Sequence, residues 1–328
     1  MSDVLAGGAG ATLMERDCLH IAPSDAPFTA RMRFHQSWYR RHVLGLRPGP
    51  NPAAHGALYG SQLTLSDAEA GGNFLNPAIY AAAERRLAAG PGGVEAQRLR
   101  ANLLSSQPMC FNLWAPLADD LALATRLVRA LPGLPSDLTI TGVAFEFAPD
   151  RTLHLNDASA FDVFLEYSLP DGRRGFVGVE TKLTEPFSPE RYGFDERYSR
   201  WLAGEGWWWL PGAESSFDNS SYNQLWRNHL LAFAMLRQPD ATYAEGYCAV
   251  VYPTGDKACA EAIAAYRPLL RPEGAPTLLV WQLEAVVAAW TGRLETTDER
   301  AWLAAFHLRY LDLPASEAAW QAFKELRG

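Results

Sequence analysis

Apolar residues alternate with polar ones along two neighbouring segments in the middle of the chain. Residues 160–168 read AFDVFLEYS and residues 174–183 read RGFVGVETKL, and both are rich in the β-branched and aromatic residues that favour strands. The connecting sequence LPDGR contains Pro, Asp and Gly in an order that is typical of a tight turn. The pattern therefore predicts an antiparallel hairpin.

This hairpin would bring charged side chains together on one face of the sheet. If the turn is centred on Asp171, Asp162 lies directly opposite Glu180, with Cβ atoms about 5 Å apart. Because side chains alternate along a strand, Lys182 shares the face of Glu180. We expect Gly178 to leave open space beside the two acids.

Two like charges directly opposite each other in a sheet are unfavourable, and burial would raise the pKa of one of them. A divalent cation removes this conflict, because carboxylate oxygens are the ligands that Mg²⁺ and Mn²⁺ prefer. Lys182 could then polarise a water or neutralise charge on a phosphate. The alternative is a solvated face with an ordinary Glu180–Lys182 surface pair, and a register shift of one residue would place the two acids on opposite faces.

The flanking segments predict a mixed sheet covered by helices. A third strand is expected over 138–148, before the hairpin, and a strong helix over 220–236 after it. Strands YCAVVYP and TLLVWQ follow, separated by a helix, and two helices end the chain. Antiparallel strands followed by a crossover helix indicate the α/β (α+β) class.

The N-terminal third reads as a separate region. Residues 1–27 are expected to be poorly ordered, residues 28–104 to form a helical extension, and residues 105–328 to form the main domain with the C-terminal helices. Within the extension, NPAIYAAAERRLAA predicts a helix with Asn76 as its N-cap and Gly90 as its stop.

Composition narrows the class of protein. The net charge of −8 excludes a basic nucleic-acid coat, so any nucleic-acid contact would be local or carried by metal ions. No apolar run approaches the roughly 18 residues of a membrane span, and we expect no membrane contact. Four scattered cysteines without CxxC spacing and the lack of a secretory signal favour a reduced cytoplasmic protein.

Asp162 on one strand and Glu180-Thr181-Lys182 on the next resemble the active-site motif of the PD-(D/E)XK nuclease superfamily, which has the restriction-endonuclease-like fold. The resemblance covers roughly residues 105–255, where the α-β-β-β-α-β order is similar to that core. Segments such as SSQPMCFNLWAPL and YNQLWRNHLLAF are similar to a bacterial group within the superfamily. Phe161 stands where the motif name has proline, a position that often varies.

The resemblance implies a role for each motif residue. Asp162 and Glu180 would bind Mg²⁺ or Mn²⁺ together with the backbone carbonyl of Thr181, and Lys182 would be the catalytic lysine. Many members use a further acidic residue, and Glu146 is the candidate here. Its alternative interpretation is a residue that emerges at a strand end.

The helix that follows the hairpin offers further candidates. Gln224, Arg227 and Asn228 share one face at helical spacing. In related nucleases a Gln or Arg of this helix points at the active site, so Gln224 is a candidate catalytic-site residue, and Arg227 and Asn228 are candidate nucleic-acid contacts. The alternative is a helix with a solvated polar stripe.

Two other segments mix aromatic residues with loop or basic character. The segment RMRFHQSWYRR contains Arg33, Arg40 and Arg41 beside aromatic residues, as nucleic-acid surfaces often do, although a solvated basic face explains it equally. The segment GEGWWWLPG places three tryptophans in a row, either for base stacking or for packing over the sheet.

The sequence thus favours a divalent-metal-dependent nuclease that acts on nucleic acid, with DNA preferred over RNA. A homodimer would suit double-strand cleavage, but no interface is specified. The alternative is a catalytically inactive nucleic-acid-binding or protein-interaction module on the same fold. A carbohydrate-active enzyme ranks lower, because glycoside hydrolysis needs no lysine two residues after the acid.

Overall fold

The structure is a computed structural model that describes residues 21–52, 57–90, 93–188, 192–202, 208–238 and 241–326. Most of the segment expected to be poorly ordered therefore lies outside the described residues. Two compact units can be distinguished. The first comprises Met1–Leu87, Val94–Leu113 and Glu295–Gly328, and the second comprises Ala88–Gly93 and Trp114–Leu294.

The first unit is mostly helical and contains one small two-stranded sheet. Its helices and strands are α1 (Pro27–His42), β1 (Pro48–Pro50), β2 (Leu58–Leu63), α2 (Leu65–Glu69), α3 (Pro77–Ala88), α4 (Ala96–Ala101), the start of α5 (Ser106–Asp119), and the C-terminal α11 (Thr297–Tyr310) and α12 (Glu317–Glu325). Asn76 caps α3 by accepting a hydrogen bond from the backbone N–H of Ile79 at 2.9 Å. Gly90 follows α3 with φ of +90°, so both predicted ends of this helix are confirmed.

The second unit holds the central sheet and its covering helices. Its elements are the end of α5, then α6 (Leu121–Val128), β3 (Thr139–Phe147), β4 (Phe161–Ser168), β5 (Arg174–Thr181), α7 (Glu196–Leu202), α8 (Asn223–Arg237), β6 (Glu245–Tyr252), α9 (Lys257–Tyr266), β7 (Leu278–Gln282) and α10 (Leu283–Thr291). Across the described part of the chain, no helix has the length and apolar character needed to cross a membrane.

The five strands of this sheet lie in the order β3-β4-β5-β6-β7. The first two pairings are antiparallel, and β5–β6 and β6–β7 are parallel. The parallel pairing follows from α8, which carries the chain back to the starting end of the sheet. The expected mixed sheet flanked by helices is therefore confirmed.

The register of the predicted hairpin is also confirmed. Val163 pairs with Val179 and Phe164 pairs with Gly178, as expected for a turn centred on Asp171. Gly172 has φ of +86°, which a glycine adopts without strain, and its N–H donates to the carbonyl of Leu169 at 2.9 Å.

One face of the sheet packs against α8 through large apolar side chains. Phe164 and Phe176 of the strands and Trp226 and Leu230 of the helix belong to one buried cluster. Of the three consecutive tryptophans, Trp208 and Trp209 belong to the same cluster, whereas the first lies outside the described residues. Packing, not base stacking, accounts for these two indoles.

Some helix boundaries have no clear signal in the sequence. The helical chain from Ser106 is divided between α5 and α6, because Asp120 leaves the helical conformation and caps α6 by accepting from the N–H groups of Ala122 and Leu123. The helix α4 is short and spans only Ala96–Ala101. Three helices, not two, follow β7.

Candidate active site

Three acidic residues lie at corresponding positions on three adjacent strands. The register places Asp162 opposite Glu180, one residue beyond the pair Val163–Val179. On the other side of β4, the pairs that flank Glu146 place it beside Asp162. Residues that are opposite each other on neighbouring strands lie about 5 Å apart, so this row concentrates negative charge near one end of the three strands.

Glu146 departs from regular strand geometry. Its φ of +49° lies in the left-handed region, which is uncommon for a residue other than glycine. Its Oε2 accepts a hydrogen bond from the backbone N–H of Gly93 at 3.0 Å. Glu146 therefore has an unusual backbone conformation at the position beside Asp162.

Glu180 and Lys182 form a buried ion pair. The Nζ of Lys182 lies 2.8 Å from Oε1 of Glu180, and the two side chains are only 9% and 4% exposed. The ammonium group also lies over the ring of Phe187, 5.0 Å from its centroid. These two charges do not form an ordinary surface pair, and the solvated-face interpretation of this strand is wrong.

Two amides of α8 fix this ion pair from the side. The Nε2 of Gln224 donates to Oε1 of Glu180 at 2.7 Å, and its Oε1 accepts from Nζ of Lys182 at 3.0 Å. Asn228, one turn later, donates to Oε2 of Glu180 at 2.8 Å. Residues four apart share a helix face, which explains why both amides reach the same carboxylate.

The loop after β5 provides a further support of the site for which the residue pattern contains no signal. The backbone N–H of Ser188 donates to Oε1 of Gln224 at 2.8 Å, so this amide is held from two sides. Loop residues show no periodicity, and a backbone donor leaves no trace in residue type, so this contact escaped sequence reasoning.

Asp162 is attached directly to the neighbouring strand. Its Oδ2 accepts a hydrogen bond from the backbone N–H of Thr181 at 2.7 Å. Burial raises the pKa of Asp162 well above its usual range, and the charges of Glu180 and Glu146 raise it further. The charged form of Asp162 is therefore disfavoured in this row of acids.

Burial has the opposite effect on the pKa of Lys182. Burial alone would lower the pKa of its ammonium group, but the carboxylates of Glu180 and Asp162 outweigh burial, so the pKa is raised above the usual value. Lys182 is therefore positively charged at neutral pH, which is the state needed to attract a phosphate.

A comparison with known protein families identifies the family to which this arrangement belongs. A family model described as the PD-(D/E)XK nuclease superfamily matches residues 23–312. The chain belongs to this superfamily. The match begins well before residue 105, where the resemblance seen in the sequence began. No curated protein and no solved structure matched the chain.

PD-(D/E)XK nucleases generally use divalent metals, and the donor set here fits such an ion. Glu180 accepts three hydrogen bonds, and a carboxylate offers about four lone-pair sites, so one position remains. Asp162 adds a second carboxylate, whose pKa is raised by burial and then by the charges of Glu180 and Glu146. The described residues contain no group of three His, Cys, Asp or Glu that could hold a metal. Two neighbouring carboxylates are suitable as part of the ligand set of a hard divalent cation, which usually keeps several waters.

The expected space beside the acids is filled in this PD-(D/E)XK protein. A Cβ added at Gly178 would meet ring atoms of Phe161 at 2.3–2.6 Å. Glycine is therefore needed for close packing of this ring, and the expectation of open space was wrong. Phe161, at the position of the motif's proline, is fully buried.

Arg227 does not have the role that its sequence position suggested. Its side chain is 7% exposed, and its Nη1 lies 3.3 Å from Oδ2 of Asp157 and donates to Oγ of Ser159 at 3.1 Å. Tyr192 lies under its guanidinium, 4.1 Å from the ring centroid. Arg227 is a buried structural residue, so the prediction of a nucleic-acid contact was wrong. Asn228, also buried, contacts Glu180 instead.

The arginines of α1 in the first unit have comparable structural partners. Arg40 is fully buried and donates to the carbonyls of Gly60, at 2.8 Å, and Leu46, which makes its assignment to a nucleic-acid surface wrong. Arg33 is 15% exposed and forms a bidentate pair with Asp25. Arg41 is half-buried. The segment thus uses its charges mainly to hold the unit together.

Proposed function

We propose that this protein is a divalent-metal-dependent nuclease that hydrolyses phosphodiester bonds. The observation that carries the proposal is the buried Glu180–Lys182 pair, with Nζ and Oε1 2.8 Å apart, beside the carboxylate of Asp162. Burying two charges has a large desolvation cost, so such a pair contributes little to the stability of a fold. Its placement in a row of acids, in a member of a nuclease superfamily, is explained by catalysis.

Each residue of the site has a distinct task in this proposal. Asp162 and Glu180, with the backbone carbonyl of Thr181, would hold Mg²⁺ or Mn²⁺. The ion supplies Lewis-acid polarisation of the scissile phosphate and a lowered pKa for an attacking water. Lys182 neutralises charge that develops on the phosphate oxygens or orients the water.

Gln224 and Asn228 act through Glu180 and are positioning residues. Gln224 joins Glu180 to Lys182, so it keeps the ammonium group beside the carboxylate. Asn228 fixes the other carboxylate oxygen. Such contacts hold the catalytic groups in their working geometry, so the reaction need not rearrange them. Glu146 is the candidate third acid, because it lies beside Asp162 and raises its pKa.

The proposed substrate is nucleic acid, with DNA as the first polymer to test. Scission of both strands of a duplex needs two catalytic sites, so a homodimer stays part of the proposal. Measuring the molar mass with and without a DNA duplex decides this part independently of the chemistry.

Calorimetric titration with Mn²⁺ and Mg²⁺ tests the proposed metal site. We expect the wild type to bind, and Asp162→Asn and Glu180→Gln to lose most of the affinity. Asp171→Asn, which removes an exposed acid of the hairpin turn, should bind as the wild type does. Absence of binding in the wild type, with and without a DNA oligomer, would contradict the proposal and favour the inactive nucleic-acid-binding module.

A further inference from the structure

The second unit contains a basic groove at the opposite end of β3 from the acids. It has a volume of about 780 Å³, and α6, the start of β3 and the residue two positions beyond α10 line it. Thr139, which begins β3, is a lining residue, whereas Glu146 is next to the last residue of this strand. At about 3.3 Å per residue, the groove lies some 20–25 Å from the row of acids.

Three arginines and no acidic residue line this groove. Arg126 belongs to the last turn of α6, Arg129 is the residue directly after this helix, and Arg293 follows α10. Arg129 and Arg293 are exposed and form no ion pair with a carboxylate in the described part of the chain. In a protein with a net charge of −8, such a concentration of guanidinium groups is a specific feature of the groove.

Backbone carbonyls hold two of these arginines in place. The Nε of Arg129 donates to the carbonyl of Leu138 at 2.6 Å, and one of its Nη groups donates to Asp137 at 3.3 Å. The Nε of Arg126 donates to the carbonyl of Arg293 at 2.7 Å, which ties α6 to the chain beyond α10. Contacts with neutral carbonyls orient the guanidinium group of Arg129 without cancelling its charge, so less ordering is left for a ligand to impose.

The rest of the lining is apolar. Leu121, which is 40% exposed, and the exposed Ala122 provide its accessible apolar surface. The volume lies within the range of about 300–1,000 Å³ that is usual for ligand pockets. An apolar wall next to a basic rim suits a ligand that has a flat apolar part and a phosphate.

We propose that this groove binds a nucleoside phosphate. The phosphate would lie between Arg129 and Arg293, and the base would pack against Leu121 and Ala122. Two sources share this chemistry, a free mononucleotide and a terminal nucleotide of a nucleic-acid strand. The groove does not depend on the proposed metal site, because no residue belongs to both.

Binding measurements without divalent metal test the groove separately from catalysis. We would titrate the full-length Lys182→Ala protein, in the presence of EDTA, with AMP, with adenosine, and with a 5′-phosphorylated single-stranded DNA oligomer. Arg129→Ala and Arg293→Ala are made in this background. Arg47→Ala is the matched control, because it removes an exposed arginine that does not line the groove.

We expect each groove variant to weaken AMP or oligomer binding about tenfold or more, since each removes a charge-assisted hydrogen bond, and Arg47→Ala to have no effect. Adenosine should bind more weakly than AMP. A response with AMP assigns a free nucleotide, and a response with the oligomer alone assigns a strand end. If both groove variants bind both probes as Arg47→Ala does, the proposal is wrong, whatever the protein's nuclease activity.

Discussion

Nζ of Lys182 lies 2.8 Å from Oε1 of Glu180, and both side chains are almost inaccessible to solvent. The charges are two residues apart on one strand, and the amide of Gln224 bridges them. A buried, hydrogen-bonded pair of this kind is sensitive to loss of any single partner, because the remaining charge is buried. This sensitivity makes the site testable by stability as well as by activity.

Asn228→Leu should lower the free energy of unfolding by about 1–3 kcal/mol. The substitution keeps the approximate volume but leaves a buried oxygen of Glu180 without its donor. Chemical denaturation measures the effect. Gln321→Leu removes an amide that donates to the exposed Glu317, and we expect no measurable change there. Equal effects of the two substitutions would contradict the role given to Asn228.

Gly178→Ala should destabilise the second unit by about 1–3 kcal/mol, because the added Cβ would overlap the ring of Phe161. Gly193→Ala is the matched control, since a Cβ there meets nothing within 4 Å. Thermal unfolding of both variants compares the two positions. A wild-type melting temperature for Gly178→Ala would show that the ring can move aside.

Arg227→Ala should cost about 3–5 kcal/mol of stability, because it leaves the buried carboxylate of Asp157 without its cation. Arg173→Ala breaks the exposed pair with Asp171 and should have no measurable effect on stability. Nucleic-acid binding by folded Arg227→Ala protein should match the wild type. Weaker binding with unchanged stability would restore the original interpretation of Arg227 as a nucleic-acid contact.

His229 should make the protein less stable in mild acid. Its ring nitrogens lie 2.9 Å from the hydroxyl of Tyr266 and 2.7 Å from that of Thr277, and burial lowers its pKa to about 3. Below pH 6.5 the unfolded chain binds a proton that the folded chain excludes, so stability falls as the pH decreases towards 3. Between these two pKa values, His229 should lower the free energy of unfolding by about 1.4 kcal/mol for each unit by which the pH falls.

Denaturation of His229→Gln between pH 4 and 7 checks this slope. The variant can be less stable than the wild type at every pH, but its stability should depend less on pH by the amount assigned to His229. An unchanged slope would mean that His229 does not resist protonation in the folded protein.

The central sheet and the two acids of the hairpin were predictable because local signals agree. The turn sequence, the alternation of apolar residues and the positions of Asp162 and Glu180 all point to one register, and that register is observed. A one-residue shift would have moved the apolar residues to the wrong face, so the pattern carries strong information.

The surroundings of the site were less predictable, because they depend on long-range partners. Arg227 pairs with Asp157, which lies 70 positions earlier in the chain, and the spacing of helix α8 contains no information about this carboxylate. Arg40 likewise binds backbone carbonyls that no residue type reveals. The left-handed φ of Glu146 is likewise not indicated by the alternating pattern of β3.

Cleavage by Lys182→Gln tests the central claim most directly. Single-turnover hydrolysis of a DNA duplex and a single strand would be followed with saturating Mg²⁺ or Mn²⁺, with Lys257→Gln, an exposed lysine at the start of α9, as the control. We predict cleavage by the wild type and the control, and a decrease of about 100-fold or more in Lys182→Gln while metal binding persists. Equal rates in Lys182→Gln and the wild type would contradict the account.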